Sequence, residues 1–530
     1  GEPGGFGGGI GGPPGEFVPP PRRTSRWLRR LVPPAIISVA ALIIAALVWV
    51  PPRVACGGPG SGLVREGGEC VGVTYGSPAL LPSGAEEWHE DFRAVQDAIR
   101  EENDRVVAAG GRHVTIGLIS TLTPDEDGPL SPERVLRSLQ GAHAARMRAN
   151  HSRDMGDPTP LIRLALANAG ARQDRWETAV RRLKEMARGE ERLVAVVGWA
   201  VSTEDTERAA MELSEAGIPM VASVASGDGL RHDRVPGLVR VTPSNTDFVA
   251  ALAEHLRNEG DGGEAPPRTA MLVYDVNEPD LHVSTLTAAM RRRFAEELAG
   301  RPEQPFTGTR VTSDASVALF DPIVRNICQS RVDTVLFSGR TGDLEGFLDA
   351  LVRRTCADES LSVLFVETGP VVPAEREAEL RRAQLTVVHA SASDPRWSAD
   401  RDADPGAEWT PEGFAGFRDA LAEVLPEGGD VTAALPDGYA LAHHDAVMVA
   451  VEAIRVRNAA GPDRLPDPSE VRSELFKLNT ANAVRAAGGT LSFTTSRAGD
   501  PGDKPIPVIE VPAPEGGDAP ARRPYTTPEL

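Results

Sequence analysis

Residues 193–230, LVAVVGWAVSTEDTERAAMELSEAGIPMVASVASGDGL, decide the fold class. The run Leu193–Val197 is wholly apolar and rich in valine, as a strand buried on both faces must be. Gly198 supplies a turn, Ser202 or Thr203 opens a helix, and a second strand, Met220–Val224, ends in a loop of small residues. A strand–helix–strand unit of this kind implies parallel strands joined by a crossover. In open α/β sheets, ligands gather outside the carboxyl ends of the strands, where helix N-termini point bare N–H groups into the crevice. Two such ends fall inside this segment. They put Ser202, Thr203, Ala225 and Ser226 on the wall of an expected small-molecule cleft.

Working outward, strands and helices alternate. Strands are expected at 114–120, 161–170, 269–275, 308–312, 333–338, 362–367 and 385–391, with helical patterns between them. That is too many strands for one compact sheet of ordinary size, so an α/β fold with two lobes of parallel sheet is expected. Helices at 412–424, 439–457 and 468–478 follow, then a closing pair of strands.

A net charge of −20 over 530 residues, with both signs interspersed, argues against a nucleic-acid surface. The four cysteines, Cys56, Cys70, Cys328 and Cys356, have no zinc-type spacing. They fit two disulfides if the domain lies outside the cytosol, with Cys56–Cys70 and Cys328–Cys356 the pairs nearest in sequence; the alternative is four unpaired thiols.

Residues 1–30 are Gly/Pro-rich and then Arg-rich and read as a disordered juxtamembrane segment. The uncharged run 31–50, LVPPAIISVAALIIAALVWV, is long enough to cross a bilayer as one helix. Five arginines precede it and Arg53 alone follows closely, which puts the N-terminus in the cytoplasm and the C-terminal bulk outside the cell membrane. A lipoprotein signal ending at Cys56 is the rival reading, but Arg53-Val54-Ala55 is a poor lipobox. Residues 51–111 read as a linker and a preceding helix, and 513–530 as a disordered tail. The chain opens on Gly1 rather than Met, so a longer or processed protein, with a cytosolic module upstream, is one expectation.

No GxSxG, HExxH or P-loop string is present, and no catalytic residue, metal or cofactor is expected. The acidic cluster around His89 reads as a solvated helix face. His443-His444-Asp445 suggests a metal site, but adjacent helical residues diverge, and a packed role is expected.

The strings VTIGLISTLT, QGAHAA, VAVVGWAVSTEDT, GIPMVASVAS, LVRVTPSNTDF, VDTVLFSG, GYALAHHDAVMVAVEAI and GGTLSFTTSRAGD occur in order over about 112–511. In that order the chain resembles the leucine/isoleucine/valine-binding branch of the type I periplasmic binding proteins, the solute receptors of ABC importers. The resemblance implies two lobes joined by three crossing segments, with 112–241 plus 391–480 in lobe one and 245–389 plus 481–512 in lobe two. It puts Cys328 and Cys356 at the ends of neighbouring helices. It implies that Ser202 and Thr203, with Ala225 and Ser226, hold a ligand carboxylate, and that Glu367 pairs with its ammonium group.

Two departures bear on this. Leu281-His282 stands where the family commonly has Tyr-Gly, and Glu204 and Asp205 fill the helix turn after Ser202, where they repel an anion. Ser202 is read equally as a plain helix cap, and Glu367 as a solvated or hinge-side carboxylate. The functions weighed are therefore a membrane-tethered solute-binding protein for an amino-acid- or amide-like ligand, serving an ABC permease or a sensing module, and a degenerate binding fold used for protein contacts. An enzyme on the same fold is not expected.

Overall fold

The computed structural model describes residues 56–529 apart from 59, 127, 155, 259–267, 278–279, 309–315, 370–371, 399–407, 427 and 515–522. The expected membrane helix at 31–50 lies outside the described residues. Among the described residues no helix is long and apolar enough to cross a membrane.

The first part of the chain runs β1 (Leu63–Glu66), β2 (Glu69–Thr74), α1 (His89–Ala108), β3 (His113–Ser120), α2 (Pro132–His151), β4 (Leu161–Asn168), α3 (Trp176–Arg188), β5 (Leu193–Gly198), α4 (Glu204–Glu215), β6 (Met220–Ala222) and β7 (Leu238–Arg240). The second runs α5 (Asn245–Arg257), β8 (Ala270–Asp275), α6 (Leu281–Arg293), β9 (Gln304–Phe306), α7 (Asp321–Ser330), β10 (Thr334–Ser338), α8 (Thr341–Val352), β11 (Leu361–Glu367), α9 (Glu377–Arg382) and β12 (Leu385–Ser391). Then come α10 (Phe414–Val424), α11 (Tyr439–Ala460), α12 (Pro468–Leu475), β13 (Val484–Ala486), β14 (Gly489–Leu491), β15 (Pro505–Ile506), β16 (Val508–Val511) and β17 (Tyr525–Thr526).

Two sheets result, ordered β1-β2-β4-β3-β5-β6-β7 and β16-β12-β11-β10-β8-β9. The strands are parallel within each except at one edge, where β1, β2 and β16 run antiparallel to their neighbours. Apolar strands such as Leu193–Gly198, buried along their whole length, are covered by helices on both faces. In lobe two a cluster of stacked and edge-on rings, Phe306, Phe320, Phe337 and Phe347, fills one side of the sheet. The mixed α/β architecture with two parallel sheets agrees with the expectation.

The domain boundaries differ from those read in the sequence at three places. Residues 51–111, read as a linker and helix, are built into lobe one from Cys56 onward. Gly67 and Gly68 turn the chain into the β1–β2 hairpin, and β2 adds to β4 with Gly72 opposite Asn168. Helix α1 buries Phe92, Val95 and Ile99, and its Asn103 side chain bonds both the N–H and the C=O of Leu164 at 2.9 and 2.8 Å. Residues 481–512, assigned to lobe two, divide: Val484, Leu491 and Phe493 enter the first lobe's core, whereas Ile506 packs in lobe two's and Val508–Val511 pair with β12. The third crossing therefore lies between Phe493 and Pro505. In the tail, Tyr525–Thr526 pair with Pro505–Ile506 instead of fraying.

Both expected disulfides are formed, Cys56–Cys70 and Cys328–Cys356. The first ties the incoming chain to β2, and the second ties α7 to the turn after α8.

Candidate functional site

Each sheet has a switch point where the strand order reverses: beside β3 and β5 in lobe one, and beside β8 and β10 in lobe two. The helices that follow these strands, α2 and α4 on one side and α6 and α8 on the other, begin at one cleft. Its residues come mostly from those helix starts.

On the lobe-one wall, β5 ends at Gly198, whose φ is +118° and whose Cβ, if it had one, would sit 2.1 Å from the carbonyl oxygen of Ile119. Only glycine fits there. Trp199 continues in the left-handed region at φ +61°, its side chain buried, and the turn brings Ala200–Ser202 to the cleft. Thr203 caps α4 in a reciprocal box with Thr206, accepting its N–H at 3.2 Å. Ser202 Oγ accepts the N–H of Gly227 at 3.1 Å, which locks the loop after β6 against the turn after β5.

From lobe two, α6 inserts its first turn against these groups. Ser226 Oγ and His282 Nδ1 are 2.9 Å apart, and the N–H of His282 donates to the Ser202 carbonyl at 3.3 Å. Asp280 caps α6, accepting from His282 and Val283, and its other oxygen takes Arg340 Nε and Nη2 at 2.7 and 2.6 Å. Thus Leu281-His282, flagged as a departure, places an imidazole against the serine expected to finish a carboxylate site. Burial and the neighbouring Arg340 hold His282 below the usual histidine pKa, so it is neutral at physiological pH.

Glu367 ends β11 and faces Arg134, in the first turn of α2, across the cleft. The two charges are 3.8 Å apart, an ion pair without a hydrogen bond. Glu367 also accepts from the Thr341 hydroxyl at 2.8 Å and from the N–H of Thr368 at 3.0 Å. Burial alone would raise its pKa, but Arg134 and these donors outweigh it and hold the carboxyl down at about 2. The Arg134 guanidinium lies 5.1 Å above the ring of Tyr439, the first residue of α11. Beside it, burial lifts the Asp437 carboxyl to about 6 while that carboxyl accepts the Tyr439 N–H at 2.9 Å.

The structure therefore brings Ser202, Ser226 and Glu367 to one cavity, with Arg134, His282, Arg340 and Tyr439. It does not bring Thr203 or Ala225 there. Thr203 is a helix cap, and Ala225 is buried behind the wall with its N–H on the Trp199 carbonyl at 2.9 Å. The cavity measures about 40 Å³, far below the roughly 300 Å³ of ordinary small-molecule sites. Side chains from both walls fill it. A larger hollow of about 620 Å³, lined by Glu254 and His255 of α5 and by Trp409 and Tyr525, contains none of the predicted residues.

The sequence carried faint signals for the missed residues. Arg134 stands in the first turn of a helix, where its charge opposes the dipole, and Arg340 is the N-cap of α8. Cations at helix starts are poor for the helix itself and so point elsewhere. His443-His444-Asp445 is packed, as expected: His443 lies 3.0 Å from Ser223 Oγ, and Asp445 takes the N–H groups of Ala487 and Gly488 at 2.8 Å. No cluster of potential metal ligands occurs among the described residues.

Solved structures of similar fold include substrate-binding proteins of ABC transporters. A branched-chain amino-acid ABC transporter protein from Thermus thermophilus with bound valine aligns at a TM-score of 0.54 and 16% identity, covering 78% of this chain and 97% of that one. An ABC transporter substrate-binding protein from Desulfitobacterium hafniense gives 0.52 and 16%, covering 75% and 97%. A solute-binding protein from Rhodopseudomonas palustris HaA2 with p-hydroxybenzoic acid gives 0.51 and 16%, covering 78% and 96%. The chain shares their fold. No protein-family model and no curated protein matches its sequence.

Proposed function

We propose that this chain is a solute-binding protein that closes its two lobes on a small zwitterionic or amide-like molecule. The observation that carries the reading is the partly buried Arg134–Glu367 pair. Opposite charges on opposite lobes face one another at the strand ends, bonded to each other only through space. The wall charges already balance, Arg134 with Glu367 and Arg340 with Asp280, so a net-neutral ligand enters without leaving an uncompensated buried charge. A simple anion does not.

The chain is tethered through residues 31–50 with its N-terminus in the cytoplasm, and the two-lobed domain faces outward. The arginines before that run and the two disulfides support this topology. Its partner is an ABC permease or a module on the cytoplasmic side. The test is titration calorimetry of the whole chain in detergent against the common L-amino acids and their amides, with small-angle scattering to follow closure. Heat of binding to one class with a decrease in radius of gyration is expected. No binding across that panel contradicts the reading.

A further inference from the structure

We infer that Arg134, not the Ser202/Ser226 hydroxyl wall, is the anchor for the ligand's carboxylate, with Tyr439 as its platform and Glu367 as the opposing ammonium acceptor. This rests on the proposed solute-binding role and names the group that decides ligand class.

The hydroxyl wall is already engaged. Thr203 Oγ1 caps α4, Ser202 Oγ holds the Gly227 N–H, and Ser226 Oγ is paired with His282 at 2.9 Å. A carboxylate arriving there must displace the His282 imidazole and meets Glu204 and Asp205 in the adjacent helix turn. Arg340, the other cation on the cavity wall, has two nitrogens on Asp280 at 2.7 and 2.6 Å.

Arg134 is engaged less firmly: the Tyr439 side chain interacts with it, while the facing Glu367 carboxylate lies beyond hydrogen-bond reach. Its guanidinium and the Glu367 carboxylate stand 3.8 Å apart, beyond hydrogen-bond reach, so the pair has Coulomb attraction without the bidentate geometry that makes Arg–carboxylate contacts strong. Burial opposes its charge, but Tyr439, Glu367 and Asp437 raise its pKa further, so it remains cationic throughout the physiological range. When the lobes part, a carboxylate fits the fork of the guanidinium. The adjacent ammonium of an α-amino acid then takes Glu367, whose carboxyl is ionised above a pKa of about 2. The ligand thus takes over both halves of an existing ion pair and replaces a through-space contact with hydrogen bonds.

Magnitudes favour this assignment. A charged hydrogen bond contributes about 1.5–3 kcal/mol against about 1 for a neutral hydroxyl. Arg134→Gln should therefore weaken binding of the tightest amino acid by about 30-fold, and Ser226→Ala by less than about fivefold. Calorimetry on the full chain would compare wild type, Arg134→Gln, Arg134→Lys and Ser226→Ala, with thermal melts to establish that each is folded. Arg134→Lys keeps the charge and loses the fork, and should fall between. If the wild type binds and Arg134→Gln binds equally well, or if Ser226→Ala loses more than Arg134→Gln, the inference is overturned and the solute-binding reading stands. If the wild type binds no amino acid, both fall together.

Discussion

The two walls of the cleft are made alike, each from helix starts at a switch point, yet they present different chemistry. Lobe one contributes the hydroxyls of Ser202 and Ser226, plus a single arginine reaching in from α2. Lobe two contributes Asp280, His282, Arg340 and Glu367, held by one another and by helix caps. Strand-end hydroxyls are therefore not by themselves a site. What they can bind depends on what the opposite lobe already gives them, and here that is an imidazole.

The contrast breaks most severely where Arg134 is braced. Helix α2 crosses α11 at Gly141, where a Cβ would lie 1.9 Å from the Ala440 carbonyl oxygen. Gly141→Ala should force the helices apart, lower stability by about 3 kcal/mol or more, and move Arg134 off Tyr439. Denaturant melts read the first effect and ligand affinity the second. Next in size is the loss of a disulfide. Cys56–Cys70 and Cys328–Cys356 span 14 and 28 residues, so reduction of either should lower the stability of its own lobe by about 3 kcal/mol. Hydrogen exchange resolved by peptide should show Cys70→Ser loosening lobe one and Cys356→Ser loosening lobe two.

Two acids near Arg134 respond to pH in opposite senses. Asp437 has its folded pKa raised from 3.8 to about 6 by burial, so its ionisation opposes folding, and stability falls as pH rises through that window. Asp437→Asn should stabilise the protein by about 2 kcal/mol at pH 7 and by almost nothing at pH 3.5, in melts at the two pH values. Glu367 has its folded pKa lowered from 4.5 to about 2, so it stabilises above 4.5 and that contribution is lost as pH falls toward 2. Glu367→Gln, which removes the carboxylate facing Arg134, should cost about 1–2 kcal/mol at pH 7 to 8. No penalty at that pH would mean Glu367 is not the ionised partner. The smallest expected effect is that of Thr203→Ala: about 1 kcal/mol of stability from the lost cap and no change in affinity.

Much of this fold was legible. Apolar strands alternating with helices from residue 113 to 391 specify parallel sheets; strand-end logic led to Ser202 and Ser226, and the resemblance led to Glu367. The β1–β2 hairpin was not, because its strands are short and gain their burial from β4 and the helix Trp176–Arg188, which lie far along the chain. The division of 481–512 between lobes was hidden for a related reason: β13–β14 and β16 are alike in sequence character, and which core each joins depends on the crossing between them. Arg134, His282, Arg340 and Tyr439 sit in four separate helix starts, and no local pattern records that tertiary packing brings them together. Thr203 and Ala225 have the residue types the resemblance calls for, but one faces its own helix and the other the core.

The central claim is that the cleft takes a zwitterion between Arg134 and Glu367. Its most direct test is calorimetry on the full chain with a matched trio: the tightest-binding amino acid, the same molecule without its amino group, and the same molecule without its carboxylate. Binding of the zwitterion, with affinity at least tenfold weaker for each of the other two, is the predicted result. Equal affinity for the deaminated acid would contradict it.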